Sequence, residues 1–179
     1  RVSVDDEPAV RVTIPGEKPA DDEAADIVGE VLFRDPSTGF YLRHHFLEQL
    51  DARLKRPLEA GIRAVAYIRP DNFSRVHADV GILGTEALLL RFAELLREFM
   101  QPNDLYGRFG GTIFAALLER GTMTDIESWA ERLRKTVASE VFEVERRSTT
   151  LTCTLGIAEI SGESISVADI RRFLYFSSG

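Results

Sequence analysis

Two apolar runs, Leu105 to Phe109 and Ile113 to Leu118, meet across the tripeptide Gly110-Gly111-Thr112. Paired glycines between extended runs favour a tight antiparallel hairpin, because glycine enters the positive-φ conformations that such turns demand without steric cost. A lone hairpin is marginal in water, so the flanking segments have to cover its apolar faces. Upstream, Leu88, Leu89, Phe92, Leu95, Leu96 and Phe99 recur at helical spacing and stop ahead of Pro102. Downstream, Thr124-Asp125-Ile126-Glu127 reads as a capping box opening a helix that turns Trp129, Leu133 and Val137 toward a core. Helix, hairpin and helix in succession predict a sheet covered by helices.

The rest of the chain extends that order. Phe40 to Leu58 carries Phe46, Leu47, Leu50 and Leu54 at helical spacing and is stopped near Pro57 and Gly61. Ile62 to Ile68 is a short apolar strand, Arg69 to Gly84 reads as a loop, and Thr85 is placed to cap the following helix. Thr150 to Ile157 alternates Leu151, Cys153, Leu155 and Ile157 with threonines and Gly156, the spacing of a strand with one buried face, which makes Cys153 a core residue. Ser166-Val167-Ala168-Asp169 can cap a last helix, but only Ile170, Phe173 and Leu174 follow as apolar positions, so that helix is expected to be truncated or atypical.

Charge separates the first residues from this body. Residues 1–30 hold nine of the 29 acids and three of the 22 bases, leaving twenty acids and nineteen bases in the remainder. Val2, Val4, Val10, Val12 and Ile14 alternate with polar residues before Pro15, Gly16, Pro19 and the run Asp21-Asp22-Glu23. Residues 1–25 therefore read as an acidic linker or as the remnant of an upstream domain, and the globular body as residues 26–179. Arg1 at the first position suggests a fragment. A formal net charge of -7 excludes a polybasic role in unspecific binding to nucleic acid or anionic membranes. One cysteine cannot make an internal disulfide, and three histidines cannot assemble a cluster of the softer ligands zinc prefers, so no metal or other cofactor is expected and a cytoplasmic setting fits best. His44, His45 and His77 read as surface or capping residues. No run approaches the roughly 20 apolar residues of a membrane span.

Four ordered motifs give the chain a resemblance to a known family. They are Asp35-Pro36-Ser37-Thr38-Gly39-Phe40-Tyr41-Leu42-Arg43-His44-His45-Phe46, Arg69-Pro70-Asp71-Asn72-Phe73-Ser74 after a strand, Arg108-Phe109-Gly110-Gly111-Thr112-Ile113-Phe114, and Leu151-Thr152-Cys153-Thr154-Leu155-Gly156-Ile157-Ala158. In this order they resemble the start motif D-x-L-T-G-L-x-N-R-R-x-F, the D-x-D-x-F-K segment, the signature hairpin R-x-G-G-D-E-F and the late strand V-T-x-S-x-G-I-A of GGDEF domains, over about residues 31–170. Asp35, Thr38, Gly39, Arg43 and Phe46 match in the first motif, and Asp71 and Phe73 in the second. The resemblance implies a palm-like α/β (α+β) fold with a central, mostly antiparallel sheet of about five strands flanked by helices. In active members, similar to other phosphoryl-transfer enzymes, carboxylates hold magnesium on GTP in each of two facing domains, and the product is cyclic di-GMP.

The departures point to a degenerate copy. The first metal-binding Asp corresponds to Arg69, which puts a guanidinium where a divalent cation binds. The Asp-Glu of the signature corresponds to Thr112 and Ile113, and isoleucine has no oxygen to offer. The guanine-binding Asn and Asp correspond to His77 and Thr85. The inhibitory product motif R-x-x-D reads Gln101-Pro102-Asn103-Asp104, so the Asp survives without its Arg. Asp71 is left as a loop acceptor or an ion-pair partner for Arg69 or Arg75, Gly110 and Gly111 as turn residues, and Asp35, Thr38 and Gly39 as a turn or helix start.

The expectation is a catalytically silent GGDEF domain acting as a regulatory or protein-interaction module. It is expected to be joined to an EAL-type domain outside this chain, and to engage a protein partner or a second copy of itself. The details are similar to FimX-type proteins of type IV pilus and motility control. The alternative from another class is a sensor that binds GTP or a cyclic dinucleotide without turning it over. Residual cyclase activity would need magnesium to be recruited through other groups.

Overall fold

The computed structural model describes residues 32–144, 146–160 and 167–176. The expectations for residues 1–25, and for Ser166 as a cap, lie outside them. The elements in chain order are β1 (Tyr41–Leu42), α1 (Arg43–Leu54), β2 (Ile62–Pro70), α2 (Phe73–Glu98), β3 (Leu105–Gly110), β4 (Ile113–Arg120), α3 (Met123–Ser139), β5 (Val141–Val144), β6 (Arg147–Thr150), β7 (Cys153–Ile160) and α4 (Val167–Phe176).

Five strands form one sheet in the order β1-β3-β4-β2-β7, with β1 parallel to β3 and every other neighbour antiparallel. The hairpin predicted from the paired glycines is the β3–β4 pair, and β2, between β4 and β7, is covered on both faces. Its Ala64, Ala66 and Ile68 join Phe114, Ala116 and Leu118 of β4 in a cluster with Leu88, Phe92 and Leu96 of α2 and Trp129, Leu133 and Val137 of α3. Its Val65 and Tyr67 join Ala115 and Leu117 on the other face, under Phe46, Leu47 and Leu50 of α1 and Ile170 of α4. A strand buried on both faces reads as one continuous apolar run, as Ile62 to Ile68 does. Gly107 is where β1 crosses closest: a Cβ there would sit 2.8 Å from the Tyr41 carbonyl oxygen and 3.0 Å from Phe46 Cβ. The Trp129 indole donates to the Phe99 carbonyl at 2.8 Å, satisfying its one polar atom inside the core.

Several local expectations are corrected. The first helix begins at Arg43, because Gly39 turns the chain at φ 71° and Tyr41–Leu42 is taken up by pairing with Gly107 and Arg108 of β3. The stretch from Arg69 to Gly84 is not a loop: β2 runs on through Pro70, paired with Cys153, and α2 starts at Phe73 after Asn72 in the left-handed region. Thr85 therefore caps nothing. It lies within α2 after a break at Gly81 (φ 71°), and its hydroxyl donates to the Gly81 carbonyl at 2.6 Å. The capping box of α3 is Thr122 with Asp125, two residues ahead of the predicted start. The run from Thr150 to Ile157 is split, since Thr150 ends β6 and β7 begins at Cys153. Cys153 is buried, as the alternation predicts. The β5–β6 hairpin was not read from the sequence; it lays Phe142 and Val144 on the cluster under α2 and α3. Among the described residues, no helix is long and apolar enough to cross a membrane.

Candidate functional site

The signature hairpin turns through Gly110 (φ 100°) and Gly111 (φ 53°), and a Cβ on either would meet open space. Glycine is needed there for backbone conformation and not for room. The turn is held from below by Arg108 of β3, whose Nε and Nη2 donate to the Gly111 carbonyl at 3.2 and 3.0 Å. The same guanidinium reaches Asp35 at 3.1 Å and Glu86 of α2 at 3.5 Å. Asp35 in turn accepts from the Thr38 amide at 2.9 Å and its hydroxyl at 2.7 Å. Burial alone would raise the Asp35 carboxyl, but the Thr38 donors and Arg108 outweigh it and hold the group below the ordinary aspartate range. Arg97 of α2 donates to the Thr38 carbonyl and lies over the Phe40 ring, 5.3 Å from its centre. Asp35, Thr38 and Gly39 thus form a clasped turn upstream of β1, and the reading of them as a helix start is corrected. Arg43 opens α1 and is exposed.

Beside the hairpin lies a cleft of about 520 Å³ lined by Arg69, Asp71, Asn72, Phe73, Ser74 and Thr112, with Pro70 and Thr152. Its one carboxylate is already engaged: Asp71 accepts from the Thr152 hydroxyl at 2.8 Å and the Thr154 hydroxyl at 2.6 Å. Asp71 is therefore an acceptor, as one of the sequence alternatives had it, but its donors are the two same-face threonines of the late strand and not Arg69 or Arg75. Arg69 is half-buried opposite Thr154 in the register of β2 and β7. Ile113 is half-buried and packs against the cluster under α1, while Phe114 is fully buried between Phe40 and Phe92, with ring centres 5.6 and 5.5 Å away. A divalent cation does not fit this lining, which offers a guanidinium, the neutral oxygens of Asn72, Ser74 and Thr112, and one carboxylate already bonded to two hydroxyls. His77 is exposed, with Nδ1 3.1 Å from the Thr85 hydroxyl, so the two positions matched to guanine recognition are in contact with each other.

At the opposite end of the strands, Asp104 has no exposed side-chain surface and takes Arg120 of β4 in a fork, at 2.6 and 2.7 Å. It also accepts from the Gln101 backbone amide at 2.8 Å, whereas the Gln101 residue is otherwise exposed. A carboxylate bonded this way on all sides is a structural anchor.

Residues 32–172 match the family described as diguanylate cyclase, GGDEF domain. The chain belongs to the GGDEF family. Among solved structures, this GGDEF domain is 32% identical to the FimX GGDEF domain from Pseudomonas aeruginosa, with a TM-score of 0.72 over 80% of this chain and 90% of that one. Among curated proteins, it is 30% identical over 139 residues to the diguanylate cyclase DgcP of Pseudomonas aeruginosa; the match takes in 77% of this chain and 21% of that protein's length. The coiled coil and GGDEF domain of DgcB from Caulobacter crescentus, solved with c-di-GMP, shares the fold at a TM-score of 0.76 and 21% identity, over 88% of this chain and 86% of that one.

Four partners in this GGDEF domain were not singled out from the sequence. Thr152, just ahead of β7, and Thr154 within it stand two apart in an alternating run, a spacing that puts both hydroxyls on one face where the chain is extended, and that was the available signal. Arg108 was matched in the signature motif, but nothing local says that it bridges to Asp35 across 73 positions. Arg120 has no sequence signal at all, since its pairing with Asp104 is set by the register of β3 on β4.

Proposed function

We propose that this GGDEF domain is catalytically silent and serves as a regulatory, protein-interaction module in cyclic di-GMP signalling. On this reading it works within a longer protein that carries an EAL-type domain, of the kind that controls type IV pili or motility. The observation that carries it is the pair Arg69 and Ile113. One puts a fixed cation in the cleft beside the hairpin, and the other turns a position that carries a carboxylate in active relatives into a packing residue. Phosphoryl transfer in this family runs through metal-held phosphates, and the cleft has no second carboxylate to hold the metal.

The test is incubation of the purified chain with GTP and magnesium or manganese, followed by chromatography for cyclic di-GMP, beside a calorimetric titration able to see binding of roughly 100 µM. The silent-module reading expects no product and no heat. Product formation sinks it outright. Micromolar GTP binding without turnover would instead favour the sensor reading, for which the polar cleft of about 520 Å³ beside Gly110 and Gly111 is the supporting observation.

A further inference from the structure

Among the described residues, β7 is the last strand of the five-stranded sheet on its side. Its register on β2 runs without a shift from Cys153 opposite Pro70 to Ile160 opposite Arg63. The Asp71 amide donates to the Thr152 carbonyl at 2.8 Å in that same register, which fixes the alternation of the ladder. Thr154, Gly156, Ala158 and Ile160 exchange hydrogen bonds with β2, and Pro70, which has no N–H to give, falls in an unbonded pair. The N–H and C=O groups of Cys153, Leu155, Ile157 and Glu159 therefore point away from the sheet. Among the described residues, no backbone hydrogen bond reaches them.

An open edge of this length is a template for another strand, and proteins ordinarily blunt it with lysine, proline or a bulge. β7 has none of these, and its one charge is the exposed Glu159. Beside its C-terminal half, α4 leaves an apolar dimple of about 160 Å³ walled by Val65, Ala158, Ile160, Ile170 and Phe173, with Glu159 and Asp169 as its charged lining. The volume suits a single branched aliphatic side chain. An added strand puts alternate side chains on that face, so one extended segment can use edge and dimple together. A second copy of β7 does not supply the filling. Lying antiparallel in a continuous sheet, β7 brings Thr154, Gly156 or Ala158 opposite Ala158, all too small; the register that brings Ile160 there sets Glu159 directly against Glu159 of the second copy.

We propose that the β7 edge docks an extended segment of a partner protein, which adds as a further strand, seats an aliphatic side chain in the dimple and brings lysine or arginine to Glu159 and Asp169. The proposal goes beyond the silent-module reading and stands on the edge and the dimple alone. Cyclic di-GMP formation from GTP would overturn that reading and leave this one standing.

The test is fluorescence anisotropy of a labelled peptide, Lys-Val-Thr-Leu-Thr-Val-Lys, titrated with the whole chain, beside amide exchange of the chain followed by NMR. On binding, the amides of Leu155, Ile157 and Glu159 should gain protection, while those of Thr154, Gly156 and Ala158, already bonded to β2, stay as they were. Glu159→Pro strips an outward donor and a carboxylate without touching the bonds to β2, and should weaken binding roughly tenfold. Glu143→Ala removes an exposed carboxylate from β5 and should leave binding unchanged. Ala158→Leu fills the dimple from within and should also weaken the peptide, so the proposal stays testable if the proline variant fails to fold. Absence of binding, binding that leaves the outward amides unprotected, equal weakening by Glu159→Pro and Glu143→Ala, or self-association that protects the same amides without peptide would each overturn it.

Discussion

Removing the Arg120 guanidinium is the sharpest single perturbation available in this fold. The Asp104 side chain is 0% exposed and that of Arg120 is 8% exposed, with both guanidinium nitrogens within 2.7 Å of the carboxylate. Arg120→Ala leaves a charge with no water and only the Gln101 amide as donor, and breaking a buried pair from one side costs about 3–5 kcal/mol. For a chain of this size that corresponds to a fall in Tm of roughly 6–20 °C. The control is Lys55→Ala, whose partner Asp51 lies 2.5 Å away but whose own side chain is 74% exposed, so the expected loss is under about 1 kcal/mol. Urea unfolding at pH 7 followed by circular dichroism measures both. The reasoning fails if Arg120→Ala lands within about 1 kcal/mol of Lys55→Ala. A second leg isolates the cause. Arg120→Met combined with Asp104→Leu should recover most of the loss, because an apolar pair of similar volume leaves no orphaned charge. If the double variant stays as unstable as Arg120→Ala, the cost came from packing.

Asp35→Ala should cost about 1.5–3 kcal/mol at pH 7, since it strips acceptors from Thr38 and leaves Arg108 with Glu86 as its remaining carboxylate. Its carboxyl is held below the ordinary range in the folded state, so the stabilisation is present above an unfolded pKa near 3.9 and is lost as the pH falls through the folded value. Equal costs at pH 7 and pH 2 by urea titration would contradict the clasp. Burial and, secondarily, the nearby Asp71 push the Cys153 thiol up to about 11. At pH 8 its alkylation should run roughly 200-fold slower than that of a free thiol of pKa 8.5, and in urea it should reach the free-thiol rate. Because the raised value favours the neutral thiol, the domain should give up stability as the pH climbs from the free-thiol range toward 11; a flat urea midpoint over that interval would argue against it.

The sheet was legible because its central elements are apolar on both faces and its hairpin is punctuated by glycines. Long-range register was not. The run Phe40 to Leu42 carries a helix-compatible pattern, but Gly107 lets the Tyr41 backbone approach within 2.8 Å of where a Cβ would stand, and parallel pairing with β3 wins over local propensity. Residues 69–84 read as a loop because Pro70, Asn72, Gly81 and Gly84 are breakers. Pro70 is nonetheless the last residue of β2, Asn72 takes the left-handed conformation, and only Gly81 interrupts α2. The β5–β6 hairpin turns at Arg146 with φ 68°, a conformation that an arginine does not advertise. For the site, residue types at family positions were readable one by one, whereas the bonds among them depend on which strands lie side by side. Asp71 meets Thr152 and Thr154 only because β2 pairs with β7.

The family's motifs split here along a physical line, and the split bears on the functional reading. Asp35, Thr38, Gly39, Arg108, Gly110 and Gly111 match the motifs, and each has a folding role: a clasped turn, positive φ, or a guanidinium joining hairpin, turn and helix. Arg69, His77, Thr85, Gln101, Thr112 and Ile113 depart from them, and the fold closes with the residues present. A cyclase that had merely moved its metal site would need carboxylates free near the hairpin tip. Asp35 and Glu86 are drawn to Arg108, and Asp71 is bonded to two threonines, so supplying one to a cation means dismantling a contact that holds the tip in place. On the proposed reading, a scaffold kept beside changed ligand positions is the pattern expected when the surfaces of a domain are used and its chemistry is not.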